Sequence, residues 1–330
     1  MPGVSQPTRS VDVLGLVDHA RQGRPRAVAR LISLVEDAHP ALREVMAALA
    51  REPGRAAVIG LTGPPGVGKS TITSALIGCF RARGDRVGVI AVDPSSPFTG
   101  GALLGDRIRM QDHGLDGEVF IRSMATRGHL GGLARSTPQA LRVLDAAGCD
   151  VVLIETVGVG QSEVEVAALA DTTVVLLAPG MGDGVQAAKA GVLEIGDVFV
   201  VNKADRDGAA ATARDLRQMI GHGQRLEPGG WRPPVLQAVA SAGTGINAVV
   251  EALDAHRAWL TAGSGLADRR RRRAGGEIEA IALAELQHRI GDLRPGRCLD
   301  DLAERVVHGR IDPYAAADEL LAALVEPNQS

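Results

Sequence analysis

The chain has 330 residues and a net charge of −3, from 36 Lys and Arg against 39 Asp and Glu, so no global basic field draws it to nucleic acid or anionic lipid. Apolar residues make up 45% but aromatics only 2%, so the core must be built from Ala, Val, Leu and Ile and from close backbone contact at the 41 glycines. Cys79, Cys149 and Cys298 are odd in number and widely spaced, which fits reduced cytosolic thiols better than a disulfide framework or a Cys-rich zinc site; no stretch approaches the roughly 20 apolar residues that span a bilayer. A soluble cytoplasmic protein is expected, with neither nucleic acid nor membrane as a partner.

Residues 11 to 50 read as helices, because Val28, Leu31, Ile32, Leu34 and Val35 recur at helical spacing in an Ala-rich context. Arg51-Glu52-Pro53-Gly54 breaks that pattern and ends a helical N-terminal extension, residues 1–54. From Ala56 onward short apolar runs alternate with helical patterns. AAVIGL, VGVIAV, EVFIRS, DVVLIET, TTVVLLA, DVFVVN and VLQAV are the expected strands, which predicts an α/β fold of the P-loop NTPase type with a doubly wound, mostly parallel sheet over residues 55–262. Lys69 to Arg83, Ser136 to Ala147, Gln186 to Leu193, Ala210 to Ile220 and Ile246 to Trp259 have the lengths of crossover helices. Residues 263–330 are charged, rich in Ala and Leu and without a strand signal; they read as a helical arm that packs on a partner or a second copy.

The chemistry begins at Gly63-Pro64-Pro65-Gly66-Val67-Gly68-Lys69-Ser70-Thr71, which fits G-x-x-x-x-G-K-[ST] at every fixed position, directly after an expected strand and before an expected helix. An ordinary glycine-rich turn would not require Lys69 and Ser70 at its end. Glycines let successive N–H groups close around phosphates, Lys69 reaches β and γ oxygens, and Ser70 can ligate Mg2+. Glu155 ends the strand DVVLIE beside this loop, where a magnesium-organising carboxylate belongs, and Glu155-Thr156-Val157-Gly158 resembles the Asp-x-x-Gly of GTPases, with the Gly158 N–H placed to sense a γ-phosphate. Position 159 is Val where many GTPases keep a water-orienting Gln, which predicts slow hydrolysis until a partner completes the site. Asp93, opening Asp93-Pro94-Ser95-Ser96-Pro97, and Asp106 in a glycine-rich stretch could both face magnesium or its waters, although Asp before Pro also opens turns.

Asn202-Lys203-Ala204-Asp205 follows the strand DVFVV, on the rim where a base should lie. The Asp205 carboxylate can accept from guanine N1–H and N2–H2, whereas adenine would leave it unpaired, so GTP and GDP are expected rather than adenine nucleotides. Ser241-Ala242-Gly243, one strand later, is a second piece of the same base site.

The phrases ETVGVGQSE, AVDPSSPFTGGALLGDRIRM, ATRGHLGGLA, NKAD and RAVARLISLVE together resemble the MeaB-type GTPases, also called the ArgK type, a family that includes the human methylmalonic aciduria type A protein. The resemblance runs from about Val28 to beyond Ser241. It implies a homodimer with a C-terminal dimerisation arm, and a GTP-dependent helper that gates cofactor loading into adenosylcobalamin-dependent acyl-CoA mutases of the methylmalonyl-CoA mutase type and protects or rescues them. By motif, Lys69 and Ser70 match the phosphate and magnesium residues, Asp93, Asp106 and Glu155 the acidic cluster, and Asn202, Lys203 and Asp205 the base site. One departure stands out: the family's Gly-Asp-Glu-Leu-Gln phrase reads Gly182-Asp183-Gly184-Val185-Gln186 here, which leaves Asp183 and Lys189 as the charged residues of a third switch loop made more mobile by Gly184. Two other classes remain: an ATPase or kinase serving a transport system for basic amino acids, and a nickel or cobalt insertase. NKAD argues against the first, and the 8 histidines, His113, His129, His222 and His308 among them, form no ligand-spaced cluster for the second.

Overall fold

A computed structural model describes residues 11–50, 54–93, 113–125, 136–156, 162–180, 192–223, 229–292 and 298–325. The chain divides into two compact units, residues 1–269 and 270–330.

The first unit opens with three helices, α1 (Val13–Arg21), α2 (Pro25–Glu36) and α3 (Leu42–Leu49). Asp12 caps α1 by accepting from the Gly15 N–H at 3.0 Å, and Pro25 starts α2 at a position where its missing N–H costs nothing. The periodic residues Val28, Leu31, Ile32, Leu34 and Val35 are all buried. Burying that stripe, at about 1.5 to 3 kcal/mol per side chain, is what holds short helices that would be marginal alone.

The seven expected strands all form: β1 (Ala57–Thr62), β2 (Val87–Asp93), β3 (Val119–Ala125), β4 (Val151–Glu155), β5 (Thr172–Leu177), β6 (Val198–Val201) and β7 (Val235–Gln237). They make one sheet in the order β3-β2-β4-β1-β5-β6-β7, every pairing parallel. Parallel strands need crossovers, and those described are α4 (Lys69–Ala82), α5 (Thr137–Ala146), α6 (Ser162–Leu169), α7 (Val192–Ile195) and α8 (Ala209–Gly223); α9 (Ile246–Ala262), expected as a crossover, follows the last strand and packs back on the sheet instead. Helix α6 was not legible in the sequence. Its apolar residues do not fall into one stripe: Val166 is fully buried while Val164 is largely exposed.

Alternate strand residues serve opposite faces. Val58, Ile90, Val152 and Ile154 share one core with α1 to α3, α5 and Val166, so the N-terminal helices are packed into the sheet's own core. Ile59, Leu61, Val151, Leu153, Val198 and Val200 share another with α4 and α9. This parity fixes the functional geometry: Glu155 falls in step with Val151 and Leu153, and Asn202 in step with Val198 and Val200, so both are directed to the α4 face.

At the N-terminal edge of the sheet lies a buried polar cluster. Asp197, just before β6, accepts two hydrogen bonds from Arg269 at 2.7 and 2.8 Å and one from the Thr173 N–H at 2.9 Å. His256 is fully buried, its Nδ1 2.8 Å from the Thr172 hydroxyl and its Nε2 3.3 Å from Asp197. Trp231 and Trp259 enclose the imidazole at ring-centroid distances of 4.7 and 5.7 Å.

Helix α10 (Gly265–Asp292) begins in the first unit and runs through the Arg269 to Arg273 series. In the second unit, α11 (Cys298–Val307) and α12 (Pro313–Val325) are joined by a two-bond ion pair from Arg305 to Glu319. Only Leu302 and Ala316 are buried among the described residues of that unit, while Ile278, Ile281, Leu283, Leu286, Val307, Tyr314 and Leu321 are exposed. No described helix is long and apolar enough to cross a membrane.

Candidate nucleotide site

The strand order reverses around β1, whose neighbours β4 and β5 carry the chain to opposite sides, and open α/β sheets place ligands at the carboxyl ends of strands at such a point. The phosphate motif occupies it. Gly63 has φ +141°, and a Cβ there would collide with the Leu176 carbonyl of the adjacent strand; Gly68 has φ +93° and closes on the Asn202 amide. Side chains at either position would push the loop away from the sheet edge. Gly68 is also the N-cap of α4 and supplies no side-chain cap, and a helix N-terminus of this kind favours an anionic ligand.

Lys69 is buried, and its ammonium donates to the carbonyls of Gly63 at 2.8 Å and Pro64 at 3.1 Å. An ammonium at the end of such a loop can make charge-assisted hydrogen bonds to phosphate oxygens. Ser70 Oγ donates to Glu155 Oε1 at 2.7 Å, and Thr73 Oγ1 lies 2.9 Å from Glu155 Oε2. The resulting oxygen-only set at the start of α4 has the chemistry that a hard cation such as magnesium takes. Asp93 closes β2, two residues beyond Ala91, which pairs with Glu155 in the sheet; both acidic strand ends therefore lie on this side of β1. Asp106, Gly158, Val159, Asp183, Gly184 and Lys189 lie outside the described residues, as does His129. Among the described residues no group of three or more His, Cys, Asp and Glu forms a metal site.

The loops expected to hold the base lie across β1, after β6 and β7. Asn202 is buried and braces two loops at once: its Nδ2 donates to the Val67 carbonyl at 2.8 Å and its Oδ1 accepts from the Ala240 N–H at 3.1 Å. Lys203 takes a left-handed conformation, φ +56°, and reaches the Gly66 carbonyl at 2.6 Å. The Ala204 N–H donates to the Ala238 carbonyl at 3.0 Å, leaving Asp205 in an exposed turn on the rim. Ser241 and Ala242 end a 3-10 turn (Ala240–Ala242) closed by Gly243 at φ +70°, and Ser241, Ala242 and Gly243 are all exposed. Phosphate loop, Asn-Lys-Ala-Asp loop and Ser-Ala-Gly turn thus form one hydrogen-bonded assembly. The sequence separates these pieces; Asn202 joins them. Thr73 is the residue that motif reading missed, and the only available signal was its place one helical turn after Ser70.

Fold and site together define a P-loop GTPase on a doubly wound parallel sheet. The family model described as methylmalonyl Co-A mutase-associated GTPase MeaB matches residues 28–292, and the chain belongs to that family. GTPase ArgK of Escherichia coli is 40% identical over 248 residues, 73% of this chain and 75% of that protein. The mitochondrial methylmalonic aciduria type A homolog of Mus musculus is 34% identical over 319 residues, 92% of this chain and 77% of that protein. The crystal structure of a protein named LAO/AO transport system kinase superposes with a TM-score of 0.70 at 28% identity, covering 98% of this chain and 100% of that one.

Proposed function

We propose that this chain is a magnesium-dependent GTPase that works as a nucleotide-switched chaperone of an adenosylcobalamin-dependent acyl-CoA mutase of the methylmalonyl-CoA mutase type, gating cofactor loading and protecting or reactivating the mutase. The observation that carries the reading is a family match over residues 28–292, named for association with that mutase, on a chain whose phosphate and base loops are assembled. Lys69 and the backbone N–H groups of residues 66–71 bind the phosphates; Asp205, with Asn202, Lys203 and the Ser241-Ala242-Gly243 turn, selects guanine. Ser70 and Glu155, with Asp93 and Asp106, would hold magnesium, which supplies charge neutralisation for the phosphate oxygens when bound. Gly158 and the loops bearing Asp93, Asp106 and Asp183 read the γ-phosphate, and loss of that phosphate releases them. The second unit, with its row of exposed Ile and Leu, acts as a homodimerisation arm. The chain works in the cytoplasm.

Steady-state GTP hydrolysis, with and without purified methylmalonyl-CoA mutase and with ATP in parallel, tests this. Acceleration of GTP turnover by the mutase is expected; GTP turnover indifferent to it would remove the client. The second reading, an ATP-using kinase, draws its support from the superposed protein, which is named a transport system kinase. It requires ATP turnover to exceed GTP turnover. Asp205→Asn should move preference toward xanthine nucleotide, whose C2 oxygen needs a donor, as read by competition binding; unchanged guanine preference would end the role given to Asp205.

A further inference from the structure

Two hydroxyls of α4 reach Glu155, and only one of them belongs to the phosphate motif. Thr73 lies one turn beyond Ser70, outside the G-x-x-x-x-G-K-[ST] pattern, and is fully buried. Its Oγ1 is 3.0 Å from the Lys69 carbonyl four residues back and 2.9 Å from Glu155 Oε2. A threonine inside a helix commonly satisfies its hydroxyl on the i−4 carbonyl alone. Here the same hydroxyl also meets a carboxylate, the stronger acceptor.

The consequence lies in the geometry of the carboxylate. The last torsion of a glutamate is broad and roughly two-fold, so a carboxylate at a strand end is free to turn unless an oxygen is held. Holding Oε2 at Thr73 leaves Oε1 beside the Ser70 hydroxyl, at 2.7 Å. Glu155 and Thr73 are both buried, so water is a poor substitute for the missing donor if the threonine hydroxyl is removed.

We infer that Thr73 is a positioning residue for the magnesium site: it fixes one oxygen of Glu155 so that the other is presented at Ser70. The inference rests on the reading of Ser70 and Glu155 as residues that hold magnesium. Partners that orient a ligating carboxylate are worth about 10- to 100-fold in metal affinity.

The test uses the full chain loaded with a fluorescent GDP analogue, whose retention is followed across a magnesium titration and, separately, in EDTA. Thr73→Val keeps the shape and removes the donor; Thr73→Ser keeps the donor. For Thr73→Val the magnesium concentration for half-maximal retention should rise about 10-fold or more, with affinity in EDTA unchanged within about twofold, and Thr73→Ser should restore the wild-type curve. If Thr73→Val folds poorly, Thr73→Ala removes the donor without placing a methyl against the carboxylate and is judged by the same curve. A magnesium curve superimposable on wild type in the donor-less variants would overturn the inference. So would an equal loss of affinity in magnesium and in EDTA, which marks a merely structural residue. A wild-type protein whose GDP retention ignores magnesium would instead overturn the underlying assignment of Ser70 and Glu155.

Discussion

The two edges of the sheet carry buried polar clusters of similar size built on opposite logic. At the amino edge Asp197 is closed on itself: Arg269, the Thr173 amide and the neighbouring His256 surround it, and two tryptophans cover the imidazole. At the carboxyl edge Lys69 donates to the Gly63 and Pro64 carbonyls and Glu155 meets the Ser70 and Thr73 hydroxyls, all gathered at one strand end and the helix start beside it. A cluster whose charges match one another stabilises the fold. A cluster gathered at the carboxyl ends of strands, where the sheet order reverses, is placed for a ligand.

Asp197→Ala should break that comparison with the largest effect. It leaves the Thr173 amide without its acceptor and the Arg269 guanidinium with the Asp171 carbonyl but no carboxylate there, and breaking a largely buried pair costs about 3 to 5 kcal/mol, read as a lowered thermal midpoint, with GTP affinity intact where the variant is folded. Wild-type stability would show that the amino-edge cluster is dispensable. Lys69→Ala should do the reverse. It should lower GTP turnover by roughly 100-fold or more at little cost in stability, because the ammonium is anchored to carbonyls of the phosphate loop and not to the apolar core. Undiminished turnover would remove the phosphate assignment.

The smallest effect sharpens the contrast through pH. Burial pushes the His256 pKa down to about 4; Asp197 and Asp171 oppose this and Arg269 adds to it. The ring's Nδ1 lies 2.8 Å from the Thr172 hydroxyl and its Nε2 3.3 Å from Asp197 Oδ1. The unfolded chain protonates its histidine near 6.5 while the folded chain waits until about 4, so this group's contribution is complete above 6.5 and is lost as pH falls toward 4. The loss amounts to no more than about 3 kcal/mol. Denaturant unfolding from pH 7 to 4.5 should show that decline, and His256→Asn should flatten it; a His256→Asn curve parallel to wild type would assign the acid sensitivity elsewhere.

The carboxyl edge was far more legible in the sequence than the amino edge. Its residues sit in contiguous motifs at strand ends, because a phosphate loop must be built from successive backbone amides and a strand end delivers one side chain to a fixed place. Gly63 to Thr71, Glu155, Asn202 to Asp205 and Ser241 to Gly243 follow this rule. The amino-edge cluster draws Thr172, Asp197, Trp231, His256 and Arg269 from separate parts of the chain, so no spacing announces it. Thr73 lay between the two cases, near a motif but outside its pattern. The strands were readable because β-branched runs buried on both faces of a parallel sheet are continuous. Helix α6 was not, since its one fully buried residue among those described, Val166, stands between half-buried positions and an exposed Val164, a weak periodic trace.

The placement of the tryptophans has an optical consequence. The chain contains only Trp231 and Trp259, their rings 5.9 Å apart beside His256 and on the opposite sheet edge from the phosphate loop. Ultraviolet emission therefore reports one small neighbourhood, and it should dim as the imidazole takes up its proton in acid while staying nearly constant when GDP binds. The protein carries its own gauge of the amino edge, blind to the nucleotide, against which any fluorescent nucleotide signal from the other edge can be read as an independent channel.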